Sequence, residues 1–110
     1  MTEMPIPYRF EPSHTVQQIQ DAYSEIEEGS ETGAQVTVAG RLMLKRDQGK
    51  IVFGTLQDST GRVQLFAPEK TTPDFNKFTD LHLGDWLGVT GEVIKTRRGE
   101  LSVKISEWVR

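Results

Sequence analysis

An all-β domain with a flanking N-terminal helix is the fold class the sequence predicts, on three observations. Five runs between Gln35 and Val109 alternate apolar and polar residues with a period of two. Clusters of turn residues, such as Asp47-Gln48-Gly49-Lys50 and Asp58-Ser59-Thr60-Gly61, separate those runs. Ahead of them, Val16, Ile19, Tyr23 and Ile26 fall at helical spacing and form one apolar stripe. A length of 110 residues allows one domain with one core. The absence of Cys excludes disulfide frameworks, thiolate zinc sites and cysteine nucleophiles together, so stability must come from packing.

Each element follows from local chemistry. Met1 to Ser13 holds Pro5, Pro7 and Pro12 and is expected to be an extended arm, because proline lacks a donor and pushes its predecessor out of the helical region. Thr15 opens the helix through a capping box with Gln18, and Glu27-Glu28-Gly29 is expected to end it. Acidic residues at that end oppose the helix dipole, so packing of the stripe must hold the helix in place. The first strand runs from Gln35 to Lys45, with Val36, Val38, Gly40, Leu42 and Leu44 on one parity and Gly40 marking a bend or bulge. Ile51 to Gln57 and Arg62 to Ala67 complete a meander that Pro68 breaks. Asp74 to Phe78 can form a short helix, and Leu83-Gly84-Asp85 turns the chain into a fourth strand, Trp86 to Lys95. Arg97-Arg98-Gly99 is a hairpin turn into the fifth, Glu100 to Val109.

Periodicity alone would fit several small barrels. The order of three strands, short helix and two strands, with a Gly bend in a long first strand, is that of a five-stranded Greek-key OB-fold. Residues 1–34 are thus read as arm and amphipathic helix, and 35–110 as the barrel. Trp86, Trp108, Leu83, Phe75 and Phe78 are expected to plug the barrel and its helix.

Charge narrows the function. The net charge of -3 is unevenly spread: residues 1–34 hold seven acids against Arg9 alone, and the remainder has twelve Lys or Arg against nine Asp or Glu. An acidic chain is a poor nonspecific DNA coater, whose affinity rests on neutralising phosphates, but a basic face on the barrel remains open. No apolar run reaches the roughly 18–20 residues of a membrane span, and the start has neither the basic region nor the apolar stretch of a signal peptide, so a cytoplasmic protein without membrane contact is expected.

No catalytic constellation is present. His14 and His82 are far apart in the chain with no acidic ligand pattern, which leaves no metal site. Gly49-Lys50 lacks the rest of a phosphate-binding loop, and there is no Ser-centred nucleophile elbow. A binding face can be read instead. With Val52 and Leu56 inward, Phe53 faces outward; with Val63 and Leu65 inward, Arg62 and Gln64 face outward, and Arg41 shares that set on the first strand. A ring stacks on any base, while an amide and a guanidinium reach its polar edge. The plainer alternative puts Phe53 in the core and leaves the polar groups as solvated strand residues. Lys45-Arg46 and Arg97-Arg98, beside hairpin turns, are candidate phosphate contacts or ordinary solvated turns. Glu100, on the parity of Ser102 and Lys104, would either accept from a base or pair with a neighbouring Lys.

The chain also resembles a known family, the N-terminal anticodon-binding domain of class II lysyl-tRNA synthetases. The resemblance rests on Val38-Ala39-Gly40-Arg41, Gly49-Lys50-Ile51-Val52-Phe53, Leu56-Gln57-Asp58, Gly61-Arg62-Val63-Gln64-Leu65-Phe66, Leu83-Gly84-Asp85 and Thr96-Arg97-Arg98-Gly99-Glu100-Leu101-Ser102. Tyr8-Arg9-Phe10 and His14-Thr15 extend it to the arm and helix start. The strand-two Phe with Gly-Arg-Val-Gln is shared with aspartyl and asparaginyl enzymes; Leu-Gly-Asp and the Arg-Gly-Glu-Leu-Ser hairpin are closer to the lysyl type. The resemblance implies that Phe53 stacks on the central anticodon uridine, that Gln64 with Arg41 reads that base, and that Glu100 reads a neighbouring one. It further implies a lysine tRNA anticodon loop as partner, a catalytic domain elsewhere in a parent enzyme that forms a homodimer, and ATP and Mg²⁺ bound only by that domain. The signature motifs of such a catalytic domain are not among these residues, and the missing basic N-terminal extension points to a bacterial type. Two other functions fit the residues alone: an interaction or dimerisation module using the arm and helix stripe, or a sequence-tolerant single-strand binder.

Overall fold

The computed structural model describes residues 12–110, so most of the expected arm, with Tyr8, Arg9 and Phe10, lies outside the described residues. Helix α1 (Val16–Tyr23) precedes strands β1 (Glu31–Asp47), β2 (Ile51–Gln57) and β3 (Arg62–Pro68). The short helix α2 (Phe75–Thr79) and strands β4 (Trp86–Lys95) and β5 (Leu101–Val109) follow. The five strands close a barrel in the order β1-β2-β3-β5-β4. Pairing is antiparallel throughout except for the parallel β3–β5 seam. This is the five-strand arrangement with an intervening helix that the element order predicts.

Closure depends on the length of β1, which begins at Glu31 rather than at Gln35. Its first part pairs with β4 and its second with β2, and Arg41 lies opposite both Trp86 and Gln57. The strand can turn this corner because Gly40 has no Cβ: one would collide with the Gln57 carbonyl. Gly91 does the same for β4, where a Cβ would collide with the Lys104 carbonyl beside a register shift. The register irregularity of β1 against β2 falls between Leu42 and Leu44. Before it the even residues Val36, Val38, Gly40 and Leu42 are buried; beyond it Leu44 is 57% exposed. One extra residue has exchanged the two faces of the strand.

The core fills the barrel with Val38, Leu42, Val52, Leu56, Val63 and Leu65 among its fully buried residues, and α1 closes one side with Val16 and Ile19. Thr15 and Gln18 form the expected capping box. The turn after β2 supplies further caps, Val16 N–H donating to Asp58 Oδ2 and Gln17 N–H to Thr60 Oγ1, each at 2.9 Å. The helix ends at Tyr23, earlier than expected, because its last turn carries no cation and Glu25, Glu27 and Glu28 follow. Lys95 from β4 provides the missing charge, its Nζ donating to the Ser24 and Ile26 carbonyls at 2.9 and 3.1 Å.

At α2, Phe78 is fully buried and meets Trp108 edge to face at 5.3 Å, with Phe75 packed nearby. Two expected plugs are not in the core. Leu83 is 61% and Trp86 39% exposed, because the buried leucine of that loop is Leu81 and the inward parity of β4 begins at Leu87.

Candidate nucleic-acid interface

The outer face of β2 and β3 follows from the parity of the two strands. Val52, Gly54 and Leu56 on β2 and Val63, Leu65 and Ala67 on β3 are buried, which leaves Phe53, Thr55, Gln64 and Phe66 half-buried on the other side. Phe53 lies opposite Phe66 in the β2–β3 ladder and opposite Arg46 in the β1–β2 ladder. Its ring is 5.4 Å from that of Phe66, tilted by 44°, and the Arg46 guanidinium carbon sits 5.5 Å from the Phe53 ring centre. A ring held between a second ring and a cation is a pre-oriented stacking platform.

Two adjoining clefts open on this face, of about 250 and 610 Å³, and Arg46, Phe53, Gln64 and Glu100 line both. The smaller is bounded by Leu44, Thr55 and Arg62, the larger by Gln48, Phe66 and the hairpin residues Arg97 and Arg98. Polar groups within this cluster hold one another. Gln64 Nε2 donates to Ser102 Oγ at 2.9 Å across the β3–β5 seam, and Ser102 Oγ donates to the Glu100 carbonyl at 3.1 Å. Arg62 Nε donates to Gln57 Oε1 at 2.6 Å. The exposed Glu100 carboxylate has no partner among the described residues. A carboxylate beside Gln64, in clefts lined by the four arginines Arg46, Arg62, Arg97 and Arg98, can accept hydrogen bonds from a base while the arginines meet phosphates.

The sequence-derived site residues therefore divide. Phe53, Gln64, Glu100, Arg62 and Arg97 come together at the clefts. Arg41 stands apart: it lies opposite Gln57, four residues along β2 from Phe53 and so about 13 Å away at strand spacing. Its Nη1 donates to the Gly84 carbonyl at 2.9 Å. Lys45 is also elsewhere. The irregularity after Leu42 turns it toward α2, where Nζ donates to the carbonyls of Thr79 and Leu81, and Arg46 takes the place at the cleft that parity had given to Lys45. Phe66, Leu44, Thr55 and Gln48 also line the clefts and were not singled out as binding residues from the sequence. Phe66 was legible, since it follows Gln64 by two on the same strand.

Among the described residues no group of three or more His, Asp or Glu is placed to hold a metal ion, and no helix is long and apolar enough to cross a membrane. His14 instead shares a 2.7 Å hydrogen bond between Nδ1 and Ser13 Oγ.

Comparison with known proteins agrees with the fold. The family described as OB-fold nucleic acid binding domain, of the tRNA anticodon type, matches residues 36–110. A lysine–tRNA ligase of Synechococcus sp. (strain RCC307) is 44% identical over 108 residues, covering 96% of this chain and 22% of that protein. Lysine–tRNA ligases of Prochlorococcus marinus (strain MIT 9313) and Clostridium perfringens (strain 13 / Type A) are each 42% identical, covering 94% and 92% of this chain and 23% and 20% of their own lengths. The chain spans about a fifth of these relatives.

Proposed function

The chain belongs to the family of OB-fold nucleic acid binding domains of the tRNA anticodon type, and from that membership we propose that it is the anticodon-reading part of a lysine–tRNA ligase. The observation that carries this reading is the half-buried Phe53 ring between Arg46 and Phe66, with Gln64 beside it on the same face. A pyrimidine stacked on Phe53 would present its Watson–Crick edge to Gln64. Uridine offers N3–H as donor between two carbonyl acceptors, a pattern that a carboxamide and a guanidinium complement. Here the guanidinium nearest the ring is Arg46, while Arg41 lies farther along the strand with its Nη1 on the Gly84 carbonyl. Glu100, at the base of the hairpin, would accept from a neighbouring base, and Arg62, Arg97 and Arg98 would meet the phosphates on either side.

The partner in this reading is the uridine-rich anticodon loop of lysine tRNA. Lysine activation with ATP and Mg²⁺, and transfer to the tRNA, would belong to the rest of a parent enzyme that works in the cytoplasm as a homodimer. The task of this part is to raise the share of correct tRNA that reaches the catalytic domain. NMR titration with a lysine-type anticodon stem-loop, and with a copy whose central uridine is cytidine, tests the proposal. Shifts at Arg46, Phe53, Gln64 and Glu100 with the uridine loop, and much weaker ones with the cytidine loop, are expected. Equal or absent responses to the two would reject anticodon reading in favour of a sequence-tolerant or purely structural barrel.

A further inference from the structure

Ser102 is fully buried on β5 beneath Gln64, and its one hydroxyl proton is already committed to the Glu100 carbonyl at 3.1 Å. A hydroxyl whose proton is used can only accept from its next neighbour. Gln64 meets that condition, its Nε2 donating to Ser102 Oγ at 2.9 Å. A carboxamide held by its nitrogen keeps its oxygen turned away from the seam, toward the clefts that Gln64 lines. The orientation matters because the two ends of a carboxamide have opposite hydrogen-bonding character. Presented by its oxygen, Gln64 accepts from a pyrimidine with N3–H; presented by its nitrogen, it would donate to one with a bare N3.

We infer that Ser102 is a positioning residue for base selection. It fixes Gln64 as an acceptor, so the site takes uridine and refuses cytidine, without itself touching RNA. The inference rests on the anticodon reading proposed above and adds to it the source of the discrimination. A rigid barrel seam supplies the orientation before any RNA arrives, so none has to be induced on binding.

The test is the ratio of affinities for the uridine and cytidine stem-loops in the 110-residue chain. Ser102→Ala frees the carboxamide to turn over, and the ratio should fall about tenfold, mostly through gain at the cytidine loop, as expected for one exchanged hydrogen bond. In a Gln64→Glu background the carboxylate presents oxygen either way, so adding Ser102→Ala should leave the ratio unchanged. Equal weakening of both loops by Ser102→Ala, no change in the ratio, or the same fall in the Gln64→Glu background overturns the inference. A measurement on the unaltered protein stands independently of the folding of the variant and of the anticodon reading. One Gln64 Nε2 proton protected from exchange with water supports the held carboxamide, and both exchanging as in free glutamine overturns it. If the unaltered protein fails to distinguish the two loops, the anticodon reading falls and base selection by Ser102 with it, and this exchange measurement then decides only whether Ser102 holds the Gln64 carboxamide.

Discussion

The strand pair β2–β3 ends in two unlike regions. At its turn the Asp58 carboxylate is tied down: it accepts from Val16 N–H, Thr60 N–H, Thr60 O–H and Gly61 N–H at 2.6–3.1 Å. Toward the opposite end, the outer face carries two half-buried rings, and beside it Glu100 leaves its carboxylate unpartnered among the described residues. The first region joins helix to barrel; the second keeps its capacity for something outside the chain. In the proposed reading, stability and recognition thus sit on the same two strands but on different residues, and each should be open to damage without the other.

The largest effect should come from the packed side. Phe78→Ala empties a fully buried site and should cost about 3–5 kcal/mol of stability, read as a lower urea midpoint, with RNA affinity unchanged for the molecules that remain folded. Asp58→Ala removes the carboxylate that joins α1 to the turn and should cost about 1–3 kcal/mol. Burial pushes the Asp58 carboxyl up, but the hydrogen bonds from Thr60, Val16 and Gly61 together outweigh it and hold the group below its ordinary value of 3.8. A depressed carboxylate stabilises the fold above 3.8 and loses that contribution as pH falls through its lower folded value. The gap in stability between the unaltered protein and Asp58→Ala should therefore narrow in acid, and a gap independent of pH would show that the carboxylate charge is not what ties the helix.

On the recognition side the order reverses. Phe53→Ala should weaken binding of the uridine stem-loop by about 1–3 kcal/mol, the range for one stacked base. Its urea midpoint should shift by less than that of Phe78→Ala, since Phe53 is only half-buried. The smallest and sharpest contrast is between neighbours in sequence. Arg46→Gln should cost about 0.5–1 kcal/mol of RNA binding through loss of the cation over the ring, whereas Lys45→Gln should leave binding intact and loosen α2. Equal effects of the two on binding would mean that the face exchange in β1 does not hold in solution.

That pair also shows where the sequence stops being legible. Period two is enough to turn Phe53 and Gln64 outward, because β2 and β3 run without irregularity along their shared ladder. Applied to β1, the same count fails beyond Leu42: Leu44 keeps the apolar parity in the sequence while the register shift carries it to the surface. An inserted residue in a strand has no composition of its own, so only the ladder reveals it. Lys95 was hidden for a different reason, since its task at the end of α1 is set by a contact across 71 residues of chain. The capping box was plain because both partners lie within one turn. Leu83 and Trp86 show the limit of hydrophobicity as a guide, for apolar residues at the entrance to a strand need not point into the barrel.

The parallel seam has a consequence in time. The β3–β5 pairing spans only Gln64 to Phe66 against Ser102 to Lys104, and it joins segments 38 residues apart. During synthesis the meander of β1, β2 and β3 leaves the ribosome well before β5, and a contact of such separation carries a loop-closure cost that local hairpins do not. Phe53 and Phe66 can meet within the hairpin they share, but Gln64 acquires its Ser102 partner only when the barrel shuts. A nascent or partly opened chain would offer a sticky aromatic surface with no preference among bases, and selectivity would arrive with the last strand to join.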